Sequence, residues 1–268
     1  MRIHALQTGT VLVRERQRRG VGPEPVRRLR TVIDRRWTEA LPIYAWLIEH
    51  PEGTIVVDTG EIARASEPGY FPRWHPYFRL AVRTQVRPEE ELGPRLREHG
   101  VEPGDVRWVV LTHLHTDHAG GLGHVAGAEV VVSAEELSLG RGLMGQVRGY
   151  LPHRWPDGTR WSPLDFSRRP YGPFPASRPL TAAGDVHLVA TPGHTPGHLS
   201  VVVEDGARRV ILAGDVSYTE QLMLDGAVDG VAPNAKVAAE TLARMRELVA
   251  DGPAAYLPSH DPDSAARL

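Results

Sequence analysis

Residues 111–118 read LTHLHTDH, which places three histidines and one aspartate within six positions. The apolar residues directly before this segment predict a buried strand. Side chains two positions apart in an extended segment project to the same side, so His113 and His115 can converge on one metal ion. Asp117 and His118 lie at the start of a predicted helical turn, where they can reach a second ion. Imidazole and carboxylate groups are ligands that zinc and similar divalent cations accept.

Three further candidate ligands lie at the ends of predicted strands later in the chain. His194 follows the tight-turn sequence TPG, Asp215 follows an apolar run that ends in glycine, and His260 follows the last predicted strand. Strand ends are rigid positions from which several side chains can point at one place. Each of these residues taken alone would be an ordinary polar residue, and only the complete set predicts a metal centre.

The composition limits the chemistry of such a centre. The 268 residues include no cysteine, so disulfides, thiolate ligands and cysteine nucleophiles are excluded, and any metal must be held by His, Asp or Glu. Hydrophobic residues make up 41% and charged residues 24%, and the formal net charge is −2. This balance is typical of a globular protein and gives no overall attraction to nucleic acid or to an anionic membrane. We therefore expect no nucleic-acid partner and no membrane association.

The N-terminal sequence MRIHALQTGTVLVRERQ lacks the apolar core and the small-residue cleavage site of a signal peptide. The longest apolar runs are also far too short to span a bilayer. We therefore expect a cytoplasmic protein.

Short β-rich runs alternate with helical stretches along the chain, without a repeat of fixed period. This alternation predicts an α/β fold in a single domain that spans residues 1–268. The predicted strands are Ile43–Glu49, Thr54–Asp58, Arg107–Leu111, Val130–Ser133, Val186–Ala190, Leu199–Glu204, Arg209–Ala213 and Ala254–Leu257. The predicted helices are Pro88–His99 and Ala235–Ala250, the second capped by Asn234.

Two regions depart from the alternating pattern. Arg14–Arg36 contains nine arginines, and we interpret it as a solvated loop rather than a nucleic-acid-binding arm, because it has few aromatic residues to stack bases. Residues 139–180 are rich in Pro, Gly, Arg and Trp. We interpret this second region as an insertion that lines a substrate pocket, and simple surface packing is the alternative.

The ordered set of candidate ligands resembles the metallo-β-lactamase superfamily, whose members carry an early Asp, the motif HxHxDH, and then His, Asp and His. The early Asp here is Asp58 in VDTG, and the resemblance extends from about residue 40 to about residue 260. It implies a four-layer αββα sandwich with a dinuclear metal centre along one edge. The implied ligands are His113, His115 and His194 for one metal, Asp117, His118 and His260 for the other, and Asp215 between them.

The resemblance also implies roles for two residues beside the ligands. Asp58 would orient ligands through hydrogen bonds. His198, four residues after His194, is expected to be structural or to support a ligand. The implied cofactors are two divalent metal ions per chain, with zinc as the first expectation and iron, cobalt or manganese as alternatives.

One detail is similar to the N-acyl homoserine lactonase branch. The sequence GDVSYT places Tyr218 three residues after Asp215, where that branch has a tyrosine that contacts the substrate carbonyl. A packing role for Tyr218 is the alternative interpretation. The branch implies a small-molecule acyl lactone as substrate. The sequence leaves the oligomeric state open, and a homodimer is one expectation.

The expected reaction is hydrolytic opening of a lactone ring by a metal-bridging hydroxide. Tyr218 would stabilise the oxyanion, and Asp117 would pass a proton to the leaving alkoxide. Two alternatives stay open. One is another hydrolase of the same fold that acts on phosphodiesters, other esters or β-lactams, which an arginine-rich pocket would favour. The other is a metal-binding or arginine-mediated binding protein without catalysis, which salt-dependent nucleic-acid binding would favour.

Overall fold

The computed structural model describes residues 1–24, 26–166 and 169–268. Residue 25 of the arginine-rich region and residues 167 and 168 of the 139–180 region lie outside the described residues. The strands are β1 (Arg2–Val13), β2 (Leu41–Glu49), β3 (Thr54–Val57), β4 (Val82–Gln85), β5 (Val106–Val110), β6 (Glu129–Ser133), β7 (Arg160–Leu164), β8 (Ser177–Pro179), β9 (Val186–Ala190), β10 (Leu199–Asp205), β11 (Arg208–Gly214) and β12 (Ala254–Pro258). The α-helices are α1 (Glu15–Arg18), α2 (Val26–Ile33), α3 (Pro76–Leu80), α4 (Leu92–Glu98), α5 (Thr116–Ala119), α6 (Ala134–Arg141), α7 (Glu220–Leu224), α8 (Ala235–Ala250) and α9 (Ser264–Arg267).

The strands form two sheets. The first has the order β4-β1-β2-β3-β5-β6-β7, and the second has the order β12-β11-β10-β9-β8. In the first sheet β4, β1, β2 and β3 pair antiparallel, whereas β3, β5, β6 and β7 pair parallel. In the second sheet β8 to β11 are antiparallel, and β12 runs parallel to β11. Both sheets are therefore mixed.

Alternate residues of each central strand pack into different layers, because successive side chains in a strand point to opposite faces. In β2, Trp46 packs between the sheets in one buried cluster with Leu212 of β11. Its neighbour Leu47 points the other way and packs with Leu96 of α4. The first sheet is thus covered by helices on one face and by the second sheet on the other.

The outer face of the second sheet packs against α8. Val202 of β10 and Tyr256 of β12 share a buried cluster with Leu242 and Met245 of this helix. As predicted, Asn234 caps α8, because its side chain accepts hydrogen bonds from two backbone N–H groups of the first turn. The layers are therefore helix, sheet, sheet and helix, and the prediction of a four-layer αββα sandwich is confirmed.

The predicted helix over Pro88–His99 is not continuous. A 3₁₀ turn at Pro88–Glu90 is followed by α4, and Glu91 between them has an extended backbone. The physical reason is Pro94, whose ring lacks an N–H and would clash with the carbonyl four residues earlier in a longer helix. Proline is tolerated within the first turn, so α4 begins at Leu92.

The interpretation of Arg14–Arg36 as a solvated loop is wrong in part. The segment contains α1 and α2, and it docks by hydrogen bonds onto the loop that precedes α8. Arg27 is only 2% exposed and donates to the carbonyl of Ala232, and the N–H of Gly20 donates to the carbonyl of Val228. The carbonyl of Ala232 is a partner of the buried guanidinium, whose Nε has no hydrogen-bond partner, and the sequence could not indicate this burial.

The 139–180 region is partly built into the sheets. β7 is an edge strand of the first sheet and β8 is an edge strand of the second. Trp155 and Trp161 pack against the buried cluster beneath α4. The part that borders the site described below is residues 147–150.

Candidate metal centre

The predicted ligands come together where strands of both sheets end along one edge of the sandwich. The HxHxDH segment follows β5, and α5 begins within it at Thr116. His194 follows β9, Asp215 follows β11 directly, and His260 follows β12. All of these side chains except His115 and Asp117 are buried.

One group of donors consists of His113, His115 and His194. Nδ1 of His115 lies 3.0 Å from Nε2 of His113 and 3.0 Å from Nε2 of His194. The three ring nitrogens lie within 4.8 Å of one another, which is close enough for them to share one metal ion.

A second group of donors lies beside the first. Asp117, His118 and His260 bring their ligand atoms within 4.8 Å of one another, and so do His113, His118 and Asp215. The Asp215 carboxylate lies between the two groups: Oδ1 is 3.3 Å from Nε2 of His118, and Oδ2 is 3.4 Å from Nε2 of His194.

The hydrogen bonds on the far side of each ring fix which nitrogen carries the proton. Nδ1 of His194 donates to Asp229 at 2.8 Å, and Nδ1 of His260 donates to the carbonyl of Pro42 at 2.8 Å. Nε2 of His115 donates to the carbonyl of Arg148 at 3.3 Å. In a neutral imidazole the other nitrogen then carries a lone pair, and these lone pairs point into the cluster.

The proton positions on the two remaining histidines are fixed in the same way. Nδ1 of His118 donates to Asp58 at 2.8 Å. The Thr112 hydroxyl donates to Asp58 at 2.9 Å, so it accepts from Nδ1 of His113 at 3.1 Å. Every cluster-facing ring nitrogen is thus an acceptor in the neutral ring, and acceptors cannot hydrogen-bond to one another. A metal ion between them would satisfy all of them at once.

Two buried atoms in the cluster have no hydrogen-bond partner, namely Nε2 of His118 and Oδ1 of Asp215. Leaving a buried polar atom unpaired costs free energy, and a cation bound between these two atoms would remove that cost. The donor set of imidazoles and carboxylates therefore fits divalent metal.

The charges of the cluster differ from ring to ring: burial lowers the pKa of His118, His194 and His260, but the carboxylates around them outweigh burial and raise it. Burial lowers the pKa of His115 to about 3 and lowers the pKa of His113 well below its usual value, so both rings are neutral and able to bind metal. Burial disfavours charge at Asp215 as well, but His260, His118 and His194 around it hold the pKa of Asp215 well below its usual value. Asp215 is therefore an ionised carboxylate.

His198 does not face the cluster. Its Nδ1 donates to the Thr191 hydroxyl at 2.9 Å, and its Nε2 accepts from the backbone N–H of Asp215 at 3.0 Å. Burial lowers the pKa of His198 to about 3, which keeps the ring neutral for this role. The expectation that His198 supports the structure agrees with this geometry.

Two buried carboxylates support the ligand loops, and neither was recognised from the sequence. Asp229 accepts from His194 and also from the backbone N–H groups of two residues that follow it. Glu136 of α6 accepts from the backbone N–H of Leu114 and from that of Gly197, so it joins the HxHxDH loop to the His194 loop. No local motif marks either residue.

Tyr218 lies beside the cluster, with its ring stacked on His260 at a centroid distance of 5.5 Å. Its hydroxyl is 2.7 Å from Nε2 of Gln17, and the Tyr77 hydroxyl is 2.8 Å from the same atom. Burial raises the pKa of both tyrosines, so both hydroxyls stay protonated. The sequence analysis did not identify Gln17 or Tyr77 as part of the site.

A cavity of about 400 Å³ opens onto the donor cluster. In the described part of the chain its cationic wall residues besides histidine are Arg28 and Arg148. Most of the remaining wall is apolar and includes Val11, Val13, Phe71, Trp74, Phe78 and Val147. A second cavity of about 590 Å³ lies on the other side of the His194 loop, and its described wall includes none of the candidate ligands.

The four-layer sandwich and the donor cluster at one of its edges define the class of αββα metalloproteins. Comparison with known proteins agrees with this class: the profile of the metallo-beta-lactamase superfamily matches residues 38–260. The chain belongs to the metallo-beta-lactamase superfamily, which confirms the resemblance noted in the sequence.

Relatives of the chain include a probable metallo-hydrolase and an N-acyl homoserine lactonase. A probable metallo-hydrolase of Mycobacterium tuberculosis is 33% identical over 186 residues, which cover 67% of this chain but only 58% of that protein. The N-acyl homoserine lactonase AiiA of Bacillus thuringiensis subsp. kurstaki is 28% identical over 214 residues, which cover 78% of this chain and 77% of the lactonase.

A solved N-acyl homoserine lactone hydrolase, with the product N-hexanoyl-L-homoserine bound at its catalytic metal center, has a similar fold. It superposes with a TM-score of 0.76 at 21% identity over 99% of this chain and 95% of that one. Within the described residues, no helix combines the length and apolar character needed to cross a membrane.

Proposed function

We propose that this protein is a dinuclear-metal hydrolase that opens the lactone ring of N-acyl homoserine lactones, a quorum-quenching activity. The observation that carries the proposal is a largely apolar cavity that opens onto the donor cluster, with the Tyr218 hydroxyl beside the cluster. An apolar wall suits an acyl chain, and the donor cluster suits attack on the ester at the end of that chain. The named lactonases among the relatives support the same substrate class.

We assign the ligands as the sequence resemblance implies. His113, His115 and His194 would hold one ion, Asp117, His118 and His260 the other, and Asp215 would touch both. When bound, two divalent cations would polarise the ester carbonyl and make solvent water more acidic. Zinc is the first expectation for this donor set, with iron, cobalt or manganese as alternatives.

The protein's own residues would manage the charge and the proton of the reaction. Water adds to the ester carbonyl carbon, the ring C–O bond breaks, and a carboxylic acid and an alcohol result. The Tyr218 hydroxyl donates to the carbonyl oxygen as negative charge develops there. Asp117, whose side chain is 23% exposed, accepts the water proton and delivers it to the departing ring oxygen.

A hydrolase of the same fold that acts on phosphodiesters, other esters or β-lactams is the alternative function. A phosphodiesterase would need a cationic cavity for its anionic substrate. Arg28 and Arg148 are a small part of the described cavity wall, and the apolar residues outnumber them. The wall therefore favours an acyl substrate. A cytoplasmic location, a homodimer and a single domain over residues 1–268 stay predictions.

The test is a substrate panel beside metal analysis of the purified protein. With a pH indicator, we expect acid release from N-hexanoyl homoserine lactone and at most slow turnover of a phosphodiester or a β-lactam, with two metal ions per chain. Ring-opened N-hexanoyl homoserine serves as the matched control and should release no acid. Faster turnover of the phosphodiester or the β-lactam than of the lactone would contradict the proposal.

A further inference from the structure

The side chain of Gln17 joins two tyrosine hydroxyls at the cavity. Gln17 lies in α1 and is 3% exposed. Its single amide nitrogen is 2.7 Å from the Tyr218 hydroxyl and 2.8 Å from the Tyr77 hydroxyl, so its two hydrogens are donated to two phenolic oxygens. All three residues border the cavity.

The backbone of Gln17 is fixed independently of these contacts. Its carbonyl accepts from the N–H of Gly230 at 2.8 Å, and its N–H donates to the carbonyl of Arg14 at 2.7 Å. Gly230 follows Asp229, the residue that holds His194. The segment that carries Gln17 is therefore fastened to the same loop that orients a candidate ligand.

The direction of these hydrogen bonds decides where the hydroxyl hydrogens point. A tyrosine oxygen that accepts from Gln17 keeps its own hydrogen free to be donated elsewhere. Since Tyr218 and Tyr77 both border the cavity, an oxygen of a substrate bound there would be able to accept these hydrogens.

The amide oxygen of Gln17 has an unmet hydrogen-bonding need. Its Oε1 is buried and has no hydrogen-bond partner. An unpaired buried amide oxygen destabilises the fold, and an apolar side chain of similar size would avoid that loss. A glutamine at this position is therefore better explained by its two donated hydrogen bonds than by packing.

We propose that Gln17 is a positioning residue that turns the hydroxyl hydrogens of Tyr218 and Tyr77 into the cavity, and that Tyr77 is a second hydroxyl donor to the substrate. This inference rests on the proposed lactone hydrolysis. Tyr77 would donate to an oxygen of the acyl lactone, alongside the donation from Tyr218 to the ester carbonyl.

A double-mutant cycle on the metal-loaded full chain tests the inference, with kcat and KM measured on N-hexanoyl homoserine lactone. Removing one well-placed donor to an oxyanion lowers kcat by about 10²-fold. We expect Tyr218→Phe to approach this loss, and Gln17→Met to lower kcat by about tenfold in the wild-type background. In a Tyr77→Phe, Tyr218→Phe background, Gln17→Met should change kcat less than about twofold, because the hydroxyls through which it acts are gone.

Two further variants separate positioning from folding. Gln17→Glu would accept both hydroxyl hydrogens rather than donate, so it should lower kcat at least as much as Gln17→Met. Gln221→Met, at an exposed position of α7, is the matched control and should leave kcat and the metal content unchanged.

The outcomes distinguish the positioning role of Gln17 from the proposed function. Equal losses from Gln17→Met in both backgrounds, or full activity of Gln17→Glu, would overturn the positioning role. An unchanged kcat in Tyr77→Phe would overturn the second donor. A wild-type protein that opens no lactone would instead overturn the proposed function, and the inference would fall with it.

Discussion

The carboxylate of Asp58 lies 2.8 Å from Nδ1 of His118, and it accepts from both the N–H and the hydroxyl of Thr112. Asp58 has a φ of +57°, and it is the one non-glycine residue with positive φ among the described residues. Strained backbone of this kind is retained where the surrounding structure needs a particular geometry. Here the backbone conformation directs the Asp58 carboxylate both at His118 and at Thr112, whose hydroxyl contacts His113.

Replacement of Asp58 should therefore weaken metal binding without removing a ligand. In Asp58→Asn, the side-chain NH₂ would face a donor in either orientation, the N–H of Thr112 or Nδ1–H of His118, so the hydrogen bonds that hold Thr112 and His118 would not all form. We expect metal affinity to fall by about 10- to 100-fold, the usual effect of losing such a partner. The measurement is the metal retained against graded chelator concentrations. Asp105→Asn, at an exposed position, is the control, and equal retention by the two variants would refute the role.

Removal of a proposed ligand should have a larger effect. We expect His113→Ala and Asp215→Asn to lose metal together with activity, because each removes a donor atom from the cluster. Metal content per chain, measured after gel filtration, checks this expectation. His153→Ala, at an exposed position, should retain the wild-type content. Two ions per chain in either ligand variant would show that the ligand assignment is wrong.

Glu61 should make stability depend on pH. Burial raises the pKa of Glu61 to about 8, and its Oε2 has no hydrogen-bond partner. The unfolded chain ionises near the ordinary pKa of about 4.5, so rising pH stabilises the unfolded state first. The contribution of Glu61 to the free energy of unfolding is thus fully present below pH 4.5 and is lost as the pH rises to about 8.

The variant Glu61→Gln stays neutral and removes this dependence. Relative to Glu61→Gln, the wild type should lose on the order of 4 kcal/mol of unfolding free energy between pH 4.5 and pH 8. Urea unfolding of the chelator-treated proteins at both pH values measures the difference. Glu240→Gln, at an exposed position of α8, should show none. If the difference in unfolding free energy between the wild type and Glu61→Gln were the same at both pH values, Glu61 would be ionised in the folded protein.

Gly214 should tolerate no side chain. Its φ is +59°, and a Cβ there would lie 2.7 Å from Nε2 of His198 and 2.9 Å from Cβ of Thr112. We expect Gly214→Ala to cost about 2–4 kcal/mol, from backbone strain and from the clash together. Gly206→Ala has φ +66° but no neighbour within 4 Å, so it should cost only about 1 kcal/mol.

Gly104 is the control for this series, because it has neither backbone strain nor a close neighbour. Gly104 has no neighbour within 4 Å and no positive φ, so Gly104→Ala should leave the urea midpoint nearly unchanged. An equal shift for Gly214→Ala and Gly206→Ala would show that the contact with His198 costs nothing.

Much of the fold could be predicted where the local pattern is strong. The buried strands β5, β9, β10 and β11 and the capped helix α8 lie within one or two residues of the predicted bounds. The pattern was insufficient for β1, whose polar Thr8 is nonetheless buried and donates to the carbonyl of Ile43. The pattern also failed near Pro94. The residues on both sides of Pro94 favour a helix, but its ring prevents one continuous helix from forming through them.

The sequence by itself determined the candidate ligands, because the chemistry of HxHxDH and the strand-end positions of His194, Asp215 and His260 are local properties of the chain. Only the tertiary structure decided which other side chains serve them. Gln17 meets Tyr218 across 201 positions, and Asp229 meets His194 across 35. The sequence does not show whether a glutamine in an arginine-rich segment is solvated or buried. Only packing removes the water that would otherwise form hydrogen bonds with its side chain.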